Sequence, residues 1–588
     1  MHKSIVMKKL LSTSAVAVAL ALALTVACSK SEAPADTAGA PVLEIEPGVP
    51  EAIKAQLTTR PAFLTGDSES ERTWKAVQSF YAKRDYAPAW VDGVRPTGEL
   101  DELLEVIQGA ATEGLEPAMY AGPALMSHRQ NANGRRFSRD AFPKDDIDEV
   151  DVWSTWAFMA FTSDLADGVT DPKNIKGTWG MRPSPVDVSK VLNDALASGE
   201  IAAAVAKVAP RHPEYVALKK ALVDYQHMAQ GGGWGTLPQN IKLKPGATHK
   251  AIPALRKRLA LTHDFTGNAE DASTKYDDTL VAAVKLFQLR HGLAEDGVVA
   301  GGTLAALNVP VSKRIQQIQL NMERWRWLPR DLGSNHARVN IPEYRLDVWE
   351  QDKIALTMRT VVGAQANKTP IFADQMTHIV FSPFWNVPPG IASEETLPAV
   401  QNDPGYLDRN NLEVVGTSGQ VVDPSSVDWA SPNSYRFRQR PGTSNSLGLV
   451  KFMFPNQHNV YLHDTPADAL FKQPVRALSH GCVRVEQPTK LARYLLRDQD
   501  KWDDARIDAA MHAGKEAHVK LSKPIPVYLL YMTARASHED GSVHFVRDVY
   551  GYDAQHGRSY EQRLNTLQRR SASLMDRLSP GTGVPGAR

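Results

Sequence analysis

Residues 459–488 read NVYLHDTPADALFKQPVRALSHGCVRVEQP. The first seven alternate. Successive side chains of a strand point to opposite faces, so Val460 and Leu462 face one way and Tyr461 and His463 the other. The apolar pair can then enter a core while a phenol and an imidazole share the opposite face. Cys482 lies nineteen residues beyond His463, in a loop ahead of a helix that Pro488 opens. That spacing lets the chain turn and return the thiol to the imidazole. Cys482 is the one cysteine outside the first thirty residues of a 588-residue chain. Three readings are open for it: a packed thiol, a metal ligand or a nucleophile.

The strand pattern extends outward from this stretch. ARVNI, RLDVWEQDKIALTMRTVVG, MTHIVFSPFWNVP and LVKFMFP alternate between turn residues, and IPVYLLYMTARASHEDGSVHF adds a late strand pair turning at Asp540-Gly541. A predominantly β domain is expected over 336–536, followed by a C-terminal hairpin and tail over 537–588. Residues 395–440 are polar and turn-rich, the composition of a lid or binding loop inserted in a compact domain. Upstream, 51–240 is helical. YVALKKALVDYQHM sets Tyr215, Leu218, Leu222, Tyr225 and Met228 on one stripe, and the region reads as scaffold. Residues 248–310 form three short helices. The fold class is multidomain α+β.

Hydrophobic content of 43% and charged content of 23% belong to ordinary folded protein. A net charge of +1 gives no support for a nucleic-acid surface. Residues 1–27 combine Lys3, Lys8 and Lys9 with an Ala-rich apolar stretch and small residues ahead of Cys28, the pattern of a secretory signal. Residues 28–50, rich in Pro, Ala and acidic groups, read as a flexible linker. The segment before Cys28 resembles a bacterial lipobox, with Thr25 where Leu is usual. That resemblance implies acylation of Cys28 and membrane attachment by a lipid anchor only, in the periplasm or cell envelope at the outer membrane. In an oxidising compartment thiols pair, so an unpaired Cys482 stands out as reactive.

A thiol with a pKa of about 8.5 is only slightly ionised near neutrality. An imidazole can take its proton, and that ring needs an acceptor for its second nitrogen; the backbone carbonyl around Asp464 is the candidate. Gly481 lets backbone approach a substrate carbonyl, and neighbouring N–H groups with the Tyr461 hydroxyl are candidate oxyanion donors. His463, Asp464, His480 and Cys482 are also competent zinc ligands, although the His-x-Cys spacing is not a familiar zinc pattern.

HDTPADALFKQPVRALSHGCVRV, 463–485, resembles the YkuD-type L,D-transpeptidases. NSLGLVKFMFPN, NIPEYRLDVW, VVGAQANKTPIF and FSPFWNVPPGI are similar to the large YcbB-type branch. The 248–310 unit, with Phe287-Gln288 and Asp296-Gly297, resembles a three-helix peptidoglycan-binding domain. The resemblance implies a predominantly β catalytic domain with a capping insertion. It also implies Cys482 as nucleophile and His463 as proton donor and acceptor, with Ser479, His480, Gly481 and Arg484 completing the motif. It implies peptidoglycan as partner, through a tetrapeptide donor stem and an acceptor amine, with a thioester intermediate and a 3→3 cross-link. It implies carbapenem-type β-lactams as acylating inhibitors and no cofactor or metal. Water as acceptor, giving carboxypeptidase or endopeptidase activity, stays open, as does a non-catalytic wall-binding lipoprotein. His480 is read as a substrate-carboxylate ligand or a loop brace, and Arg484 as a partner for a stem carboxylate or a salt-bridged brace. Asn445 is read as a substrate contact or a turn residue, Trp385 as wall packing and His458 as a loop residue.

Overall fold

Nine strands carry the C-terminal half: β1 (Asn335–Asn340), β2 (Arg345–Glu350), β3 (Lys353–Gly363), β4 (Phe372–Phe381), β5 (Val450–Met453), β6 (Leu462–His463), β7 (Ala477–Ser479), β8 (Val483–Val485) and β9 (Ala517–Leu530). Their order is β7-β3-β8-β6-β5-β4-β9-β1-β2, and β2 also pairs with β3. Eight strands therefore close into a barrel, which removes exposed sheet edges, and β7 branches from β3. Val339, Leu346, Met376, Ile379, Phe452, Leu462, Val483 and Leu529 are buried in one core, joined by Leu491 of the helix Pro488–Leu496 and Ile507 of Asp504–Met511. This computed structural model describes residues 43–61, 64, 68–133, 141–175, 179–181, 185–403, 405–429 and 435–578. Residues 1–27, read as a secretory signal, and Cys28 lie outside the described residues.

The insertion is more than the turn-rich loop read from sequence, and it begins earlier than 395. Strands Trp385–Asn386, Leu412–Gly416, Val421–Val422 and Tyr435–Gln439 form a separate four-stranded sheet. Val387, Val400, Leu407, Leu412, Val414, Val427 and Phe437 give it its own apolar core. The capping insertion folds around seven buried side chains spread over fifty residues, an apolar core that its polar composition did not show.

Two further readings change. The stripe on the helix Pro213–Gln230 packs into the barrel's core, not the scaffold's: Tyr215, Leu218, Leu222 and Tyr225 share a cluster with Val339 and Leu346. The segment read as a C-terminal tail contains the 27-residue helix Tyr552–Leu578, which returns to the scaffold. Leu567 and Tyr560 enter the scaffold core, and the Tyr560 hydroxyl donates to the Gly114 carbonyl at 2.8 Å. The helix Val311–Arg326, unassigned from sequence, connects the small domain to the barrel. Among the described residues no helix is long and apolar enough to cross a membrane.

The 248–310 unit holds helices Ile252–Leu261, Asp278–Arg290 and Gly301–Leu307. Its two motif pairs meet. Buried Gln288 donates from Nε2 to Asp296 Oδ1 at 2.8 Å and accepts the Gly297 N–H at 2.9 Å. These residues hold the turn into the third helix.

Candidate active site

The site grows from the register of β6. On one side β5 runs antiparallel, pairing Lys451 with His463. On the other β8 runs parallel, pairing Leu462 with Val483 and His463 with Arg484. Leu462 and Val483 point into the core, so the alternation of both strands turns Tyr461, His463, Cys482 and Arg484 to the opposite face. The Tyr461 and His463 rings lie 5.7 Å apart. All four side chains line one cavity of about 280 Å³.

The loop carrying Cys482 makes a forced reversal. β7 pairs with β3 in parallel, Ser479 facing Gly363, whereas β8 pairs with the same strand antiparallel, Arg484 facing Val361. Three residues turn the chain, and Gly481 does so at φ 118°, a region that side-chain-bearing residues rarely enter. Ser479 closes the loop: its hydroxyl donates to the Cys482 carbonyl at 2.6 Å and accepts the Gly481 N–H at 3.1 Å. The Gly481 N–H is thereby occupied, while the Cys482 N–H has no acceptor among the described residues.

His463 is buried, and its Nδ1 lies 2.6 Å from the Asp464 carbonyl. A carbonyl only accepts, so Nδ1 carries the proton and Nε2 is left as the acceptor. Burial, followed by the cations Arg484 and Lys451, pushes the imidazole down to about 3. The Asp464 side chain is used elsewhere. Its carboxylate accepts the Leu449 and Thr465 N–H groups, each at 2.7 Å, and a Cβ on Gly448 would strike it. Asp464 therefore anchors the turn before β5 with its carboxylate and orients the ring with its carbonyl.

Burial raises the Cys482 thiol, opposed by hydrogen bonding from Tyr461 and by the Arg484 cation. Burial, then the adjacent Cys482, holds the Tyr461 phenol protonated. The resting pair is thus a neutral thiol and a neutral imidazole. The thiol's hydrogen bond runs to the Asn459 carbonyl at 3.8 Å rather than to His463, a difference from the shared proton expected from sequence. Asn456 arranges this, accepting the His458 and Val460 N–H groups and so presenting the carbonyl between them.

The cap forms the opposite wall with Trp385, Gly390, Ile391, Glu394 and Glu395. His480 Nε2 meets Glu395 Oε1 at 2.8 Å, tying the Cys482 loop to the π-helical turn Ala392–Thr396. Arg484 forms no ion pair among the described residues and its buried Nε has no hydrogen-bond partner there, so the salt-bridged brace is absent and the guanidinium is available to an anionic ligand. Of the two readings for Asn445, its contacts are those of the turn residue. It is 0% exposed; its Nδ2 donates to the Pro383 and Arg440 carbonyls, and its Oδ1 accepts the Leu447 N–H. Nothing remains for a substrate. His458 packs its ring against Phe372, outside the cavity lining. Glu395, Asn459 and Thr369, which donates to the Gly481 carbonyl, were not singled out from sequence. Glu395 and Thr369 lie 85 and 112 residues from their partners, so no local pattern marks them. Among the described residues no three His, Cys, Asp or Glu side chains are grouped to hold a metal ion.

Comparison with known proteins adds the family. Residues 334–509 match the L,D-transpeptidase catalytic domain (YkuD), 248–307 a peptidoglycan binding domain and 75–222 a scaffold domain. A Haemophilus influenzae protein provisionally named as an L,D-transpeptidase is 37% identical over 253 residues, 42% of this chain; the match spans half of that relative's length. An L,D-transpeptidase from Mycobacterium smegmatis aligns over 34% of this chain and 58% of its own, at 11% identity and a TM-score of 0.17. L,D-transpeptidase 1 of Mycobacterium tuberculosis aligns over 34% and 61%, at 13% and 0.15. Residues 334–509 are therefore an L,D-transpeptidase catalytic domain of the YkuD family, in a chain that also carries a peptidoglycan-binding domain.

Proposed function

We propose that this chain cross-links peptidoglycan stems, with Cys482 as nucleophile and His463 as general acid and base. The observation that carries the reading is the β6–β8 register, which sets thiol, imidazole, phenol and guanidinium on one face of one cavity. The donor would be a tetrapeptide stem. His463 Nε2 takes the Cys482 proton as sulfur attacks the carbonyl between diaminopimelate and D-Ala. The Cys482 N–H and the Tyr461 hydroxyl face the developing oxyanion. Collapse breaks the amide, D-Ala leaves with the proton from His463, and a thioester remains. A side-chain amine of a second stem attacks it, passes its proton to His463 and forms the 3→3 amide; the proton then returns to the departing thiolate. Because Nδ1–H is held by the Asp464 carbonyl, the same nitrogen serves both half-reactions.

The same reading extends to the envelope: the chain is exported, attached through an acylated Cys28, and acylated at Cys482 by carbapenem-type β-lactams. The test is incubation of the full chain with disaccharide-tetrapeptide, products resolved by mass. A dimer short of one D-Ala is expected, with a thioester adduct on Cys482. Cys482→Ala should abolish both and leave the melting temperature unchanged; His463→Ala should slow turnover by about 10²–10⁴-fold. Tripeptide alone would make water the acceptor, and neither product nor adduct would overturn the reading.

A further inference from the structure

Behind the nucleophile loop runs a chain of buried hydrogen bonds. Thr369 is 0% exposed, and its hydroxyl donates to the Gly481 carbonyl at 2.7 Å while accepting the Gly363 N–H at 2.8 Å. The Thr369 N–H donates to the Tyr550 hydroxyl at 3.1 Å, and that hydroxyl donates to the Gly363 carbonyl at 2.6 Å. The Tyr550 N–H donates to the Tyr531 hydroxyl at 2.8 Å, which donates to Asp548 Oδ1 at 2.6 Å. Asp548 also accepts the N–H groups of Tyr552 and Asp553, at 2.8 and 2.9 Å, in the first turn of the helix Tyr552–Leu578. Each hydroxyl gives its single proton once and accepts once, so every proton in the chain has one assignment. Lys368 seals the outer side, donating to the Tyr550 carbonyl at 3.1 Å with its ammonium over the Tyr552 ring.

These bonds bear on the one peptide that must hold still. The Gly481 N–H and the Cys482 carbonyl are tied by Ser479 from within the loop. Among the described residues the Gly481 carbonyl is tied only from outside the loop, by Thr369. A glycine at φ 118° has several alternative conformations open to it, and rotation of the 481–482 peptide would re-aim the Cys482 N–H, which has no acceptor among the described residues.

We propose that Thr369 and Tyr550 are positioning residues for Cys482, through which the docked C-terminal helix holds the nucleophile loop in its reactive conformation. The inference rests on Cys482 as nucleophile, although its first readout does not depend on the reaction catalysed.

The experiment uses full-length Thr369→Val, Thr369→Ser and Tyr550→Phe. The pH dependence of Cys482 alkylation by iodoacetamide, kcat and KM for dimer formation, and the melting temperature are measured for each. In Thr369→Val and Tyr550→Phe the alkylation profile should move to lower pH, towards that of an ordinary exposed thiol, as the loop loosens and burial relaxes. The kcat should fall tenfold or more with KM within about twofold, and Thr369→Ser, which keeps the hydroxyl, should restore both. A lower melting temperature with wild-type kcat and an unmoved alkylation profile would overturn the proposal and leave these residues as packing alone. If the wild type makes no dimer yet the alkylation profile moves as stated, the cross-linking reading falls and the positioning of Cys482 stands.

Discussion

Arg484 acts on both titrations that matter in the cavity. Its cation favours the Cys482 thiolate and disfavours the His463 imidazolium, and it is half-buried with its Nε unpartnered among the described residues. In Arg484→Gln the signs follow. A thiolate deprived of a neighbouring cation needs higher pH to form, so the alkylation profile of Cys482 moves up and the reaction at pH 8 slows several-fold. An imidazole relieved of that cation protonates more readily, so His463 rises from about 3 yet stays uncharged at neutrality, because burial is the larger cause. Alkylation rates followed by intact mass over pH 6–10 check the first sign. A profile that stays in place would mean the guanidinium does not act on the sulfur.

The cap is a folded element hinged at two crossings, and Asn445 staples them together. Pro383 lies where the chain enters the cap and Arg440 where it leaves, and one side-chain amide bonds both carbonyls. Asn445→Ala orphans those carbonyls and the Leu447 N–H. Leaving a buried polar group unpaired costs about 1–3 kcal/mol, so at least that loss of stability is expected in thermal melts. Hydrogen exchange should accelerate in 383–445 before it does in β3 or β9. An Asn445 that served mainly as substrate ligand would give an unchanged melt and a raised KM instead. The second tie of the cap, Glu395 to His480, joins two half-exposed groups, a class of ion pair that contributes little to stability. It locates the cap over the loop more than it strengthens the fold.

The molecule as a whole is laced by its C-terminus. The helix Tyr552–Leu578 leaves the barrel at Asp548 and reaches the scaffold, where Arg563 pairs with Glu69 at 3.1 Å and Leu567 is 4% exposed. The apolar face of Pro213–Gln230 makes the reciprocal tie, from the helical half into the barrel core. Scaffold and barrel therefore share contacts that neither could satisfy alone. Leu567→Ala should cost about 2–5 kcal/mol, the usual loss when a buried leucine leaves a cavity, read as a lower melting temperature of the full chain. A variant melting with the wild type would show that the helix is only laid on the scaffold.

What the linear sequence determined by itself was local and periodic. The alternation in NVYLHDT identifies the faces of β6, the three- and four-residue spacing in YVALKKALVDYQHM identifies a helix with one apolar stripe, and the cysteine motif with its upstream histidine carries the resemblance to the L,D-transpeptidase catalytic domain. Such patterns are legible because strand and helix geometry convert spacing into a face, and burial then selects the apolar one. They do not say which surface will cover that face, since apolar burial has no direction. Partner choice was thus left to the folded chain. It gave the stripe of 213–230 to the barrel, gave the capping insertion its own apolar core, and drew the supposed tail into the scaffold. Tertiary structure alone also committed Asn445 to the cap crossings, aimed the Cys482 thiol at Asn459, and set Thr369 and Tyr550 behind Gly481. Each of these needs two segments 23 to 187 residues apart to meet in one register, and that meeting exists only once the barrel has closed.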